Sequence, residues 1–441
     1  MRDAIVVALI FGCLPFCFSK TWFGVLMWVW VSLMNPHRLT WGFAYDLPFA
    51  MLIAIATLGG YFFDKGPKRF PWSGLTVTLV AFIVWMNVTT VFALVPDAAF
   101  TEWTRVMKTM LMLLVLLTVL HGRQHIEWLT WVIALSIGFF GVKGGIFTAT
   151  GGAMNRVWGP AGSYIEDNNA LAAALIIVVP LLWYLRSRVT KPILRWGLLA
   201  AILLTTFSSL GSYSRGALLA LGGMAVFMWW KSSHKLPLAM LMLVATPVMF
   251  SMLPEQWFER MQTIGEYQSD SSALGRLNAW QMAYNLAKDR PLVGGGFDIW
   301  DPGVFARYAP VPWDVHVAHS IYFSVLGEHG FIGLGLFLLL GMLSWMTGRW
   351  IIKKARPRRD LAWAVHLAEM CQVSLVGYAV GGAFLSLAYY DLPYYIMGVL
   401  VLLRRHVAET IAQEAQPDPA RSRTQAAVQP QRRGPEPEPA R

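Results

Sequence analysis

Charge is scarce in this chain of 441 residues: Asp, Glu, Lys and Arg together make up 14%. A soluble domain carries about 25%, so a water-facing surface all round is excluded. Cysteine is scarcer still. The 3 cysteines, Cys13, Cys17 and Cys371, lie in apolar segments without paired spacing. That pattern excludes a disulfide framework and a thiolate metal site, and leaves them as small buried hydrophobes. Acids are the rarer charge, 25 against 36 basic residues. There is no convincing Asp-x-Asp pair; Asp298-Ile-Trp-Asp301 has the wrong spacing and reads as a loop turn. Neither a metal nor another cofactor is expected. The chain also lacks a defensible internal repeat. Its first apolar run lacks a small-residue cleavage site ahead of a soluble domain, so it reads as a retained membrane helix and not a removable signal.

What the chain has is apolar length. Hydrophobic residues make up 56%, in recurrent runs of ~20 residues that suffice to cross a hydrocarbon core. Many of the 21 Trp residues stand at the ends of those runs, as interfacial anchors do; filling helix interfaces is their other use. The net charge of +11 raises nucleic acid as a partner. Much of the basicity falls in short turns between apolar runs and in the tail, which is the positive-inside pattern of a polytopic protein. Nucleic-acid binding is rejected on that ground.

Basic turns at 64–69, 121–125, 186–195, 231–235 and 349–359, with everything after Arg404, are placed in the cytoplasm. Spans fall at about 48–63, 72–95, 103–120, 125–142, 168–186, 195–210, 211–230, 236–252, 319–348, 361–386 and 388–404. Lys20 splits the first 34 residues into two short runs that cross once or twice. The expected fold class is an all-α polytopic membrane protein with about twelve transmembrane helices, both termini inside, and one long periplasmic loop. Transmembrane helices fill 1–251, the loop 252–318, further helices 319–405, and a cytoplasmic tail 406–441. From Gln413 the tail is rich in Pro, Gln, Arg and Ala and reads as disordered.

The loop is a polar island in an apolar chain, and loops of that length are uncommon unless functional. An amphipathic helix is expected at about Ala273–Ala287, capped by Ser271 or Ser272 and stopped before Pro291. Leu277, Trp280, Tyr284 and Ala287 form its expected apolar stripe. Arg276 falls in its first turn, where backbone N–H groups favour anions; a solvated face is the alternative. Arg215, in Gly211-Ser-Tyr-Ser-Arg-Gly216, sits at the outer end of two adjacent apolar runs. A charge there faces a partner or a cavity, or else snorkels to head groups. Lys143 and Arg156 also fall on the outer side, near Gly144-Gly145 and Gly151-Gly152, which suggest an irregular segment lining a cavity. His319 opens the next span, where a helix N-terminus disfavours imidazolium and leaves the ring able to accept a proton. A hydrogen-bonded structural histidine is the other reading. His316 shares its face if that helix starts early.

In chain order, Ser214-Arg-Gly-Ala217, Gly275-Arg276, Pro291-Leu-Val-Gly-Gly-Gly296, His319-Ser320 and Gly327-Glu-His-Gly-Phe-Ile-Gly333 resemble the O-antigen ligase and polysaccharide polymerase superfamily. The resemblance covers roughly residues 170–345. Met34-Asn-Pro-His-Arg-Leu-Thr-Trp-Gly42 further resembles the exosortase-associated O-glycosylation ligase branch. One departure is Ser320, where relatives often have Asn.

This resemblance implies a fold like the C-type membrane glycosyltransferases and a metal-independent reaction. A glycan would pass from undecaprenyl diphosphate to an acceptor hydroxyl on the periplasmic face of the bacterial inner membrane; in O-antigen ligases the acceptor is lipid A-core. Arg215 and Arg276 suit a diphosphate whose negative charge grows as the glycosidic bond breaks. His319 would take the acceptor's proton as general base, and one such displacement inverts the anomeric centre. Lys143 and Arg156 are secondary contacts for a phosphate or an anionic acceptor, and His316 orients the loop. A protein O-oligosaccharyltransferase, a polymerase and a non-enzymatic lipid-linked glycan transporter are the alternatives. The lack of repeat symmetry and of acidic coupling residues deep in the spans weighs against transport.

Overall fold

Lys20, in an extended conformation (φ −132°, ψ 91°), breaks the first apolar stretch into α1 (Arg2–Ser19) and α2 (Thr21–Met34). The two pack on each other and on α3 (Phe49–Phe63). Glycines permit the close approach: a Cβ on Gly24 would lie 2.2 Å from the Thr57 hydroxyl, and one on Gly60 2.0 Å from the Phe18 carbonyl. This computed structural model describes residues 1–150, 156–231, 235–251, 253, 255–262 and 271–415. The expectations at Gly151-Gly152 and for the tail beyond 415 lie outside the described residues, as do the side chains of Ser271 and Ser272.

The chain continues through α4 (Gly74–Val91), α5 (Pro96–Val119), α6 (Gly122–Ala149), α7 (Asn168–Arg188), α8 (Pro192–Leu210), α9 (Arg215–Lys231) and α10 (Lys235–Ser251). The island holds α11 (Glu255–Gln262), α12 (Ser271–Asp289) and α13 (Pro302–Tyr308). It is followed by α14 (Ile321–Ala355), α15 (Ala362–Gly382) and α16 (Asp391–Ala415). Six helices, α1, α4, α6, α7, α8 and α14, are long and apolar enough to cross a membrane, and α2, α3 and α10 are shorter apolar helices. With no strand among the described residues, the fold is the all-α polytopic one expected. Of the apolar window of α7, 83% is buried, against 11% for α1. So α7 is the centre of the bundle, packed on α6, α8, α9 and α15, and α1 lies at its rim.

The first 34 residues cross twice. Asp3 accepts hydrogen bonds from the backbone N–H groups of Gly42 and Ala44, both at 3.1 Å. The Arg2 guanidinium lies 4.9 Å over the Trp41 ring, and Arg2 lines one cavity with Lys143 and Arg156. At the other end of the hairpin, Trp22 stacks on His125 and Trp128. The start of α1 therefore shares a face with the polar island. The far end of α16 is opposite, where Arg405 donates to the Leu117 carbonyl at 3.3 Å and the Arg69 carbonyl at 3.1 Å. Among the described residues, α1 to α10 and α14 to α16 make thirteen passes. The expectation that both ends of the bundle's chain lie on one face is corrected, because α1 and α2 are separate helices and not one interrupted crossing.

Candidate active site

The glycines singled out in the sequence are two halves of one lock. Gly330, inside α14, has φ 68° and ψ −171° and breaks the helix. Its neighbours' carbonyls, freed from the helical ladder, are taken up by the turn after α12. Gly295 N–H donates to Gly327 O at 2.9 Å and Gly296 N–H to Glu328 O at 2.8 Å, while Phe331 N–H donates to Pro291 O at 2.9 Å. Gly294 and Gly296 also have positive φ, 62° and 80°, which a side chain resists. A Cβ on Gly294 would sit 2.5 Å from Gly327 O. Buried Glu328 completes the joint, accepting from Asp298 N–H at 3.2 Å and from the Tyr389 hydroxyl. Asp301 caps α13 by accepting from Gly303 N–H at 2.8 Å, so the Asp298–Asp301 stretch is the turn expected.

That joint roots α12 beside α14. The helix runs two residues further at each end than expected, and its buried face is rotated from the expected stripe. Ala279, Met282, Ala283, Leu286 and Ala287 are buried, whereas Leu277 and Tyr284 are 46% and 43% exposed. Polar anchors, which a hydropathy stripe does not register, choose the face. Asn278 Nδ2 donates to the carbonyls of Val311 and Asp314, and Asn278 Oδ1 accepts from Val311 N–H, all at 2.9 Å. Trp280 Nε1–H donates to Ala318 O at 2.6 Å, and its ring stacks on Phe323 at 4.8 Å. Residues 311–318 are thereby strapped along the first half of α12.

The strap brings three of the expected residues together. His316 lies against Gly275, where a Cβ would come within 2.4 Å of its ring, and its Nε2 is 2.8 Å from Asp314 Oδ1. Arg276 is the next residue of α12. His319 follows in a left-handed conformation (φ 44°), just ahead of the Ser320 N-cap of α14. Neither histidine is on the helix, so the shared helical face expected for them does not form. Burial, and after it the positive charge of Arg276, hold the His319 imidazole below its ordinary range, with Asp167 opposing them. Asp167 caps α7, accepting from Asn169 N–H at 2.9 Å; its charge reaches this site from another helix.

Arg215 arrives from the side. Ser214 Oγ accepts from Ala217 N–H at 3.2 Å and caps α9, which makes Arg215 its first residue. Gly216 packs on Phe384, whose Cβ would lie 3.1 Å from a glycine Cβ. Phe384 belongs to the turn between α15 and α16, and two residues on, Ser386 Oγ is 3.2 Å from His319 Nδ1. The turn is braced by Tyr389 on Glu328, by Tyr378 Oη–H to Leu387 O at 3.1 Å and by Tyr394 Oη–H to Ala388 O at 2.8 Å. Arg215 and His319 thus approach one rigid turn. Lys143 and Arg156 do not join them; they line a separate cavity with Arg2 and Arg38. Ser386 and Asp167 escaped the sequence reading, a serine in an apolar run and a helix cap carrying no signal of this use.

Chemically, the arrangement offers an imidazole that is neutral near pH 7, oriented through Nδ1, with a guanidinium beside it. Residues 200–338 match the family described as O-Antigen ligase. They carry the signature of that superfamily and include Arg215, Arg276 and His319. The match supports a ligase- or polymerase-type, glycosyltransferase-like activity in a multi-pass membrane protein that handles lipid-linked glycan. Residues 1–190, with the Met34–Gly42 stretch, match a family of unknown function (DUF5935). No curated protein matches the chain.

Proposed function

We propose that the chain transfers a glycan from undecaprenyl diphosphate to a hydroxyl of lipid A-core at the periplasmic face of the bacterial inner membrane. The observation that carries this reading is His319, fixed by Ser386 and kept neutral by burial and by Arg276. When Nδ1–H donates to Ser386 Oγ, Nε2 holds the lone pair and takes the proton of the attacking hydroxyl. The oxygen attacks the anomeric carbon from the side opposite the diphosphate. The glycosidic C–O bond breaks with its electron pair going to the leaving phosphate oxygen, and the anomeric configuration inverts. Arg276 and Arg215 stabilise that growing charge by bidentate hydrogen bonds, in a reaction that requires no metal. The side of the membrane follows from the crowding of Lys and Arg at the end opposite the island, at Lys65–Arg69, Arg186–Arg195 and Arg349–Arg359.

The test is purified protein with lipid-linked O-antigen and, separately, lipid A-core, a Ser/Thr peptide or a second lipid-linked glycan. Lipid A-core is expected to acquire the glycan, in EDTA as well as without it. Glycosylation of the peptide alone would make the chain a protein O-oligosaccharyltransferase, and of the second glycan alone a polymerase. Translocation of the donor with no transfer to any acceptor would make it a transporter.

A further inference from the structure

A cavity of about 800 Å³ opens on the island face of the bundle, between α1, α2, α6 and the segment 156–161. Four cationic side chains line it, Arg2, Arg38, Lys143 and Arg156, and among the described residues no carboxylate does. The two nearby acids are turned elsewhere. Asp3 accepts from the backbone of Gly42 and Ala44, and Asp46, 3.4 Å from Arg38, has an 87% exposed side chain outside the wall. The fold therefore gathers like charges without supplying their counter-charge, which is unfavourable unless an anion enters.

The rest of the wall says what kind of anion. Ile5 and Leu9 of α1 and Phe139 and Phe147 of α6 make it apolar. Leu135, Phe139, Lys143 and Phe147 recur every fourth residue along one outward face of α6, so Lys143 projects from an otherwise lipid-facing stripe. It stands six residues before the last residue of α6, ~9 Å below the helix end. Exposed Trp41 and Trp158 rim the same cavity, at the level where such rings mark a membrane interface. Charge above and hydrocarbon below is the outline of an amphiphile.

We infer that this cavity binds a phosphate-bearing lipid, its head held by Arg2, Arg38, Lys143 and Arg156 and its tail laid along α1 and α6. Guanidinium forks match phosphate oxygens two at a time, and Lys143 adds a point charge at the depth where head and tail join. The site is separate from the turn that holds His319. It lies across the α6–α8 packing, where a Cβ on Gly144 would be 2.2 Å from the Ser208 hydroxyl. It stands whether or not the chain transfers a glycan.

The experiment is native mass spectrometry of the full chain, purified in neutral detergent and offered phosphatidylglycerol, uncharged diacylglycerol or inorganic phosphate. Wild type is expected to retain phosphatidylglycerol over diacylglycerol. The triple variant Arg2→Gln/Lys143→Gln/Arg156→Gln should lose about tenfold or more in that retention, as expected for lost charge-assisted hydrogen bonds. Arg2→Gln alone, at an exposed residue, should lose part of it with an unchanged size-exclusion profile. Equal retention of the two lipids, or undiminished retention in both variants, overturns the proposal. Inorganic phosphate bound as tightly as phosphatidylglycerol would make this a free-anion site and overturn the lipid assignment.

Discussion

The Ser386 hydroxyl lies 3.2 Å from His319 Nδ1, a contact between residues 67 apart in the chain. It joins the end of the polar island to the turn between α15 and α16, and it fixes which ring nitrogen faces the open side. Ser386 acts through His319 and not on substrate. Ser386→Ala should lower kcat about tenfold, the worth of one orienting hydrogen bond, with donor KM nearly unchanged. Tyr389→Phe should produce a similar kcat loss, since it releases the brace on Glu328. A rise in KM with kcat intact would make both residues part of substrate binding instead.

His319→Ala should reduce turnover ~10²–10⁴-fold, the usual range for a lost general base, while donor binding persists. The wild-type rate should fall on acidification, as His319 protonates, at a pH below the ordinary histidine value of about 6.5. Arg276→Gln removes a positive charge that lowers the His319 pKa, so the acid limb should shift to higher pH. Asp167→Asn removes a charge that raises it, so the limb should shift the other way, with the α7 cap retained. Shifts of the same sign in the two variants would show that another group controls the limb.

At a bidentate phosphate site charge alone is not enough. Arg215→Lys and Arg276→Lys should each cost ~10²-fold in kcat at normal expression. Near-normal turnover in both would reduce them to snorkelling or surface charges.

Gly275 bears on His316 and, through it, on Arg276. Gly275→Ala places a methyl group 2.4 Å from the His316 ring and should impair transfer. His316→Ala alone should be mild, and combined with Gly275→Ala it should restore most of the lost activity. Absence of rescue would mean that the methyl group acts on α12 itself.

Accessibility tests the direction of the first hairpin. In a background without Cys13, Cys17 and Cys371, cysteines replacing Arg2 and Trp41 should both react with a membrane-impermeant reagent from the periplasm. A cysteine at Lys354 should not. Labelling at Trp41 but protection at Arg2 would return the first 34 residues to a single crossing.

Apolar run length, the placement of basic turns and the order of short motifs are local properties, and they were legible without coordinates. They determined an all-α membrane bundle, the break at Lys20, the helix in the island, and Arg215, Arg276 and His319 as the residues to watch. Tertiary structure alone decided four other matters. Two short apolar runs make a hairpin because glycines let α1 and α2 dock on α3. The rotation of α12 is set by Asn278 and Trp280 on the strap, polar contacts that a hydropathy stripe cannot rank. Lys143 and Arg156 part company with His319 because the α6–α8 packing stands between them and join Arg2 and Arg38 instead. Ser386 meets His319 because Glu328, within α14, holds Tyr389 of the same turn. Hydrophobic periodicity records how each helix meets its surroundings, and a hydrogen bond across 67 residues exists only once those helices have chosen their neighbours.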